Sequence, residues 1–449
     1  TVDANARPTL KTGIVSTNGR HTLTKRGSGA LTLDAASTLR SIHVERGTLD
    51  LFDGINADTV RFAGTGTKVY DSNTMGSYSN NSTTFVVPEK ITGNFWMDPR
   101  CDYKGKLLGK GTLYVYAAGP RNTLSGDWSP FEGTVVAGQE KRSTYGPSFD
   151  WNNNYGLPKA TLQVSKGTTF QAGSRSMAIG HVKGEGVINT TGTLTIGALN
   201  EDMLKTTTLQ ITNAKVRKVG SGIWTLTTAN AQPNIGAVTI AGGELRLDDT
   251  SFKTLLLGTS GVTVTDSGLV QGRGKLQSIV VNGGTLAPGT YFGNHYGAIK
   301  TEGNITLSKG KLELTISNNR NSGTSRSYLE VGGTLTLNDS VVVKLSDRYA
   351  PAVGDSIVLW TANKFSGKPK VSLPALPDGM MWDSSALAAA NGVLKISVNT
   401  GIYGVNADGT SRRLIFTLDG RRVNEDLNRL PAGVYVVKEN GKTYKVNKQ

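Results

Sequence analysis

Apolar and polar residues alternate along most of the chain in short runs, each preceded by glycine and closed by a polar turn. One form is Gly-x-Gly followed by an alternating segment: Gly27-Ser28-Gly29-Ala30-Leu31-Thr32-Leu33, Gly109-Lys110-Gly111-Thr112-Leu113-Tyr114-Val115, Gly184-Glu185-Gly186-Val187-Ile188, Gly220-Ser221-Gly222-Ile223-Trp224-Thr225-Leu226 and Gly272-Arg273-Gly274-Lys275-Leu276. A second is Gly-x-Leu-x-Leu, at Gly47-Thr48-Leu49-Asp50-Leu51, Gly243-Glu244-Leu245-Arg246-Leu247, Gly310-Lys311-Leu312-Glu313-Leu314 and Gly333-Thr334-Leu335-Thr336-Leu337. Period-two alternation puts Leu31 and Leu33, or Leu245 and Leu247, on one face of a strand and turns Thr32 and Arg246 outward. Helix signals are confined to residues 384–390 and 424–427, each enough for one short turn.

Successive signals recur at about the same interval: 20 residues from Gly27 to Gly47, 21 from Gly222 to Gly243, 23 from Gly310 to Gly333. A short strand unit repeated at this period cannot bury its apolar face alone, so the spacing predicts a solenoid in which each turn covers its neighbour. Glycine beside each strand permits the positive-φ corners that β-branched residues resist. Gly-x-Gly precedes strands rather than helices, which excludes a dinucleotide-binding loop. The pattern extends over residues 1–398 and already reads as mid-repeat between residues 10 and 50, so the chain is expected to start inside the solenoid.

The grammar changes after residue 398. Arg413-Leu414-Ile415-Phe416-Thr417-Leu418 reads as a strand and Asp419-Gly420 as a turn. Two further strands, Val434-Tyr435-Val436-Val437-Lys438 and Thr443-Tyr444-Lys445-Val446, are joined through Asn440-Gly441, a strong hairpin signal. Residues 399–449 are therefore expected to form a small β-sandwich.

Composition narrows the function. The 56 glycines fall at repeat corners rather than on a Gly-X-Y period, which excludes collagen. No stretch approaches the roughly 18 apolar residues of a membrane helix. Lys and Arg exceed Asp and Glu by 49 to 34, but the basic residues are dispersed and form only doublets such as Arg412-Arg413 and Arg421-Arg422. That excludes a nucleic-acid tract while permitting attraction to anionic surfaces. One cysteine, Cys101, cannot form an internal disulfide, which fits bacterial export better than eukaryotic secretion.

Catalytic chemistry is short of parts. The adjacent carboxylates Asp248 and Asp249 point to opposite faces if they lie on a strand. Asp150 is a further acid candidate; His181 sits in Gly180-His181-Val182-Lys183-Gly184, and His21, His43 and His295 have no carboxylate at a recognisable motif spacing. A single cysteine and no His-x-x-x-His pair argue against zinc; no metal or cofactor is expected. The distinctive feature is aromatic. Residues 145–155 interrupt the repeat with Tyr145, Phe149, Trp151 and Tyr155 interleaved with Asn152, Asn153 and Asn154, and residues 291–296 do so with Tyr291, His295 and Tyr296. Aromatic faces beside amides suit sugars, the rings taking C–H faces and the amides bonding hydroxyls. Tyr145, Phe149, Trp151, Asn153, Tyr155, Tyr291, His295 and Tyr296 are thus candidate glycan contacts.

The repeats resemble the passenger repeats of bacterial autotransporter-like proteins, in particular Gly283-Gly284-Thr285-Leu286-Ala287-Pro288-Gly289 followed by Gly303-Asn304-Ile305-Thr306-Leu307 and Gly310-Lys311-Leu312-Glu313-Leu314. The resemblance implies an all-β chain, with a right-handed parallel β-helix of the pectin-lyase-like kind. The tail resembles the C-terminal sorting domain of type IX secretion cargo. The matching residues are Asp419, Gly420 and Arg421; Leu430, Pro431, Gly433 and Tyr435; and Gly441, Lys442, Tyr444 and Lys445. It implies export by that machinery to the surface or surroundings of a Gram-negative bacterium. Together these point to a non-catalytic surface stalk or adhesin, monomeric, with polysaccharide or host-surface glycan as a partner and no nucleic acid. The alternative expectation is the C-terminal portion of a secreted polysaccharide-degrading enzyme of pectate-lyase or glycoside-hydrolase type whose catalytic domain precedes Thr1.

Overall fold

A computed structural model describes the whole chain except residues 1, 4–7, 12, 15–17, 19–20, 36–38, 53–56, 75–77, 118–121, 140–147, 204–206, 259, 290–296, 318–325, 399–413, 424–426, 440–441 and 449, and except the side chains of residues 2, 3, 117, 139, 148, 149 and 442. It divides into two compact units, Thr1–Pro377 with Trp382–Ser397 and Asp378–Met381 with Val398–Gln449. Among the described residues the helices are two short 3₁₀ turns, Thr228–Asn230 and Leu427–Arg429, and none is long and apolar enough to cross a membrane.

The larger unit is a parallel β-helix. Its strands fall into a six-stranded sheet, a seven-stranded sheet and a long sheet of 25 strands, and nearly every pairing is parallel. Each strand bonds to those one turn before and after it, so equivalent residues stack. Leu31 lies beside Leu49, then Val69, Phe95, Val115, Ala137 and Val164, all of them buried. A second column runs Leu23, Ile42, Val60, Phe85 and Leu107 on the six-stranded sheet. The interval between stacked residues varies, 18 from Leu31 to Leu49 and 26 from Val69 to Phe95, because turns of different length bulge between strands of fixed register. The alternation read from the sequence is realised: Leu245 and Leu247 are buried, while Arg246 is partly exposed and pairs with Glu244.

The corners show why glycine is required. Gly47 has φ of +73°, and a Cβ there would lie 2.4 Å from the Gly29 carbonyl oxygen and 2.6 Å from that of Gly27, one turn below. Gly243 repeats this with φ of +62° over Gly222 and Gly220, at 2.5 and 2.6 Å. Inside each corner a buried lysine answers the carbonyls. Lys25 Nζ donates to Arg26 O (2.7 Å), Gly27 O (2.9 Å) and, from the next turn, Arg46 O (3.1 Å). Lys218 Nζ reaches Gly242 O of the next turn at 3.0 Å, and burial pulls its pKa down to about 8.

The first half of the interior holds an aromatic spine. Phe62, Phe85, Tyr103, Trp128, Trp151 and Phe170 touch in sequence, ring centroids 4.6 to 5.9 Å apart. Beside it lies a polar pocket of the core. Cys101 Sγ accepts from Ser79 Oγ (2.9 Å) and donates to Asp71 O (3.1 Å), and burial pushes its thiol up to about 12, which keeps it in the unreactive form. Asp71 is wholly buried, and neither carboxylate oxygen has a hydrogen-bond partner of good geometry among the described residues. Burial raises its pKa from the ordinary 3.8 to about 7; the nearby Asn81 amide pulls it down, and the carboxylates of Asp98, Asp50 and Asp102 add to the rise.

The smaller unit contains one antiparallel sheet of four strands, Arg422–Val423, Leu414–Thr417, Gly433–Glu439 and Lys442–Lys448 in spatial order. Ile415, Leu430, Tyr435 and Val437 form its core. The pairing of Glu439 with Lys442 leaves a two-residue connection where Asn440-Gly441 signalled a hairpin.

Two outcomes follow for stability. Gly66 also has positive φ, +80°, but a Cβ there would meet nothing within 4 Å, so Gly66→Ala should cost only the backbone strain of about 1–2 kcal/mol. Gly47→Ala adds a clash with two backbone oxygens and should lower the urea midpoint by clearly more. Folded Asp71 keeps its proton to about pH 7, whereas the unfolded chain releases it near 3.8, so stability is lost as pH rises between those values and stays lost above pH 7. With about 1.4 kcal/mol per pKa unit the loss is on the order of 4 kcal/mol at most. Asp71→Asn should therefore melt higher than the parent at pH 8 and near it at pH 4.

Candidate functional site

The site is built on the seven-stranded sheet, whose strands include Thr123–Leu124, Ser148–Trp151, Thr169–Gln171, Val187–Asn189 and Gln210–Thr212. Alternation sends Leu124, Trp151, Phe170, Ile188 and Ile211 inward, all buried. Their neighbours face out, and register aligns them in one column: Asp102, Thr123, Asp150, Gln171, Asn189 and Thr212. Every member carries a hydroxyl, amide or carboxylate.

Hydrogen bonds tie the ends of this column together. Asn189 Nδ2 donates to Gln171 Oε1 (2.8 Å), and Asn189 Oδ1 accepts from Thr212 Oγ1 (3.0 Å) and Asn213 Nδ2 (2.8 Å). Ser125 Oγ donates to Asp102 at 2.6 Å. The middle is open. Thr123, Asp150, Trp151, Asn152, Gln171 and the turn Ala172–Arg175 line a groove of about 470 Å³. Arg175 donates its guanidinium to Asn152 Oδ1. The Asp150 carboxylate makes no hydrogen bond or ion pair among the described residues, and partial burial raises its pKa. The groove thus offers an acceptor at Asp150, amides at Asn152 and Gln171, hydroxyls at Thr123 and Ser174, and a cation already engaged by an amide. Among the described residues there is no cluster of acidic, histidine and cysteine side chains that could hold a metal.

The expected aromatic surface is only partly there. Trp151 is a correction: it is 2% exposed, edge-on to Trp128 and against Phe170, so it belongs to the spine and cannot stack on a ligand. Asn153 is a second correction. Its amide donates to Leu124 O and Gly126 O and accepts from the backbone N–H groups of Tyr155 and Gly156, so it fastens the loop rather than facing outward. Tyr155 does stand out, 57% exposed. Phe149 is described only as backbone in the strand Ser148–Trp151, and Tyr145, Tyr291, His295 and Tyr296 lie outside the described residues.

The other acids and His181 have local partners. Asp249 is buried and accepts from Ser251 N (2.8 Å), Ser251 Oγ (2.7 Å) and Phe252 N (3.1 Å), closing a turn, while Asp248 lies 3.6 Å from Arg273. His181 is 5% exposed, 3.7 Å from Glu201, and burial lowers its pKa. In the tail, Tyr435 is buried and its hydroxyl donates to Pro431 O (3.0 Å); Leu430 is buried, and Gly433 lies against the Tyr435 ring. Gly420, at φ of +86°, turns the chain beside Asp419, whose carboxylate faces Arg421 at 3.3 Å. Tyr444 and Lys445 are exposed on the last strand, Lys442 begins it, and Gly441 lies outside the described residues.

Reading the sequence for aromatics missed Gln171, Arg175, Asn189 and Thr212. A signal for most of them was present: Ser148-Phe149-Asp150, Thr169-Phe170-Gln171, Val187-Ile188-Asn189 and Gln210-Ile211-Thr212 each end an apolar-centred triplet on a hydrogen-bonding side chain. Compared with known proteins, the chain matches no family model and no curated sequence.

The two loop residues should separate in unfolding experiments. Asn153→Ala strands buried backbone groups and should cost about 2–3 kcal/mol, whereas Tyr155→Ala at the surface should stay within about 0.5 kcal/mol of the parent.

Proposed function

We propose that this chain is a non-catalytic β-helical stalk or adhesin, exported by the type IX secretion system of a Gram-negative bacterium and displayed on or released from its surface, where it contacts glycans. The observation that carries the export part is the tail. A self-contained four-stranded module follows the β-helix, and its core and turn residues, Leu430, Tyr435 and Gly420, are those through which it resembles sorting domains. A sorting machine must recognise a folded surface common to many cargoes, and a small domain with its own core supplies one independently of what precedes it.

Glycan contact is supported by the groove on the seven-stranded sheet, where amides, hydroxyls and a carboxylate without a partner among the described residues converge. Such groups bind sugar hydroxyls by mixed donation and acceptance. A non-catalytic role is favoured because Asp248, Asp249 and His181 are held in turns, ion pairs or the core, and the remaining acid candidate, Asp150, has no second carboxylate or histidine among the residues lining its groove.

Fusing residues 399–449 to a periplasm-directed fluorescent protein in a strain with type IX secretion tests the export reading. Fluorescence should appear at the cell surface or in the medium, and Tyr435→Ala, which removes the ring at the centre of the module, should hold it in the periplasm. Retention of the unmodified fusion inside the cell would sink the proposal.

A further inference from the structure

We propose that the outward column of the seven-stranded sheet is a track for an uncharged, extended glycan lying along the solenoid axis, centred on the Asp150–Gln171 groove. This rests on the reading that the protein contacts glycans, and adds the ligand's charge class, direction and length. Three observations carry it.

The first is register. Thr123, Asp150, Gln171, Asn189 and Thr212 occupy one position on five successive strands. Parallel strands lie about 4.8 Å apart, so the column spans about 19 Å at one hydrogen-bonding side chain per step. An extended chain of β-linked hexoses repeats on a similar scale, so successive sugars meet successive side chains. The second is unused capacity. The Asp150 carboxylate makes no hydrogen bond among the described residues, and Gln171, which also lines the groove, uses its side-chain carbonyl for Asn189 while its amide N–H groups have no protein partner among them. One accepts from a hydroxyl and the other donates to one, at adjacent steps.

The third is charge. The chain is strongly basic, which by itself would favour an acidic polysaccharide. The column reverses that expectation locally. Its charged members, Asp102 and Asp150, are both acidic; Lys104 lies 3.7 Å from Asp102, and the one cation lining the groove, Arg175, is matched there by Asp150, so the groove carries no net positive charge to favour a uronate. A uronate would meet like charge at Asp150, whereas a neutral sugar meets only donors and acceptors.

Calorimetric titration of the full chain with neutral oligosaccharides (cello-, manno- and xylo-, from dimer to hexamer) and with oligogalacturonides of the same lengths decides the matter. At least one neutral series should bind, tightening about tenfold or more from dimer to pentamer as steps are filled, with little dependence on salt. Asp150→Asn and Gln171→Ala should each weaken the pentamer about fivefold, the equivalent of one net hydrogen bond. Thr212→Val should weaken only the longer oligomers. Circular dichroism of the variants confirms the fold in each case. Neutral binding that ignores length, or that survives both groove variants, overturns the track. Binding of oligogalacturonides alone overturns it too but leaves glycan contact standing. Silence from both series, repeated on an array of diverse glycans, removes the reading beneath it as well.

Discussion

The contact on which the β-helix depends is that of a glycine Cα seated on the carbonyl oxygens of the corner one turn below. At Gly47 and Gly243 two oxygens approach so closely that no side chain fits, and both residues adopt the left-handed backbone conformation. This fixes where each turn begins relative to its predecessor. Register follows, and with register the stacking of Leu31 on Leu49 on Val69. Carbonyls gathered inside a corner still need donors, and the fold supplies a buried ammonium at Lys25 and again at Lys218, each bonded to its own turn and to the next. Both lysines stand two residues before Gly-Ser-Gly, so the same short phrase specifies the glycine platform and the cation that neutralises it.

Because register is set at the corners, the faces between them can differ in chemistry without changing the architecture. Inside, the first half is aromatic from Phe62 to Phe170, and the second half is mainly aliphatic, as at Val262, Ile279 and Ile305, with the buried rings of Trp224 and Trp360 among them. Outside, the long sheet has its own stacked rings, Tyr70 on Trp96 at 5.5 Å and Trp96 on Tyr116 at 4.2 Å. Their planes are nearly parallel, so they cover one another and present mainly edges, whereas the seven-stranded sheet presents amides and carboxylates. Two exposed faces of one solenoid thus differ in chemistry: one secures adjacent turns with stacked rings, the other presents hydrogen-bonding groups to solvent.

Much of this was legible before any coordinates. Period-two alternation placed Leu245 inside and Arg246 outside because a strand offers only two directions, and Gly-x-Leu-x-Leu marked the corners because few other residues tolerate them. The direction of Trp151 was not legible by the same route. Its segment is rich in asparagine and reads as a loop, yet the strand Ser148–Trp151 continues a sheet, and parity on that strand turns Trp151 inward and Asp150 outward. Asn153 was misread for a related reason: an amide between aromatics looks like a ligand group until one sees four backbone partners around it. The outward polar column was spelled out in the final residues of successive triplets, but its alignment depends on turn lengths of 18 to 27 residues that only the stacked structure reconciles.

The hydrogen bonds between turns also determine how the molecule bears load. They run nearly along the solenoid axis, so tension applied lengthwise does not shear many of them together; it opens the bonds of the outermost turn first and then those of the next. A solenoid of this kind yields by peeling from an end, at a modest and repeating force, and each freed turn of some twenty residues pays out slack before the next gives way. The Lys25 and Lys218 clamps, which bridge adjacent turns, are the places where such peeling would pause.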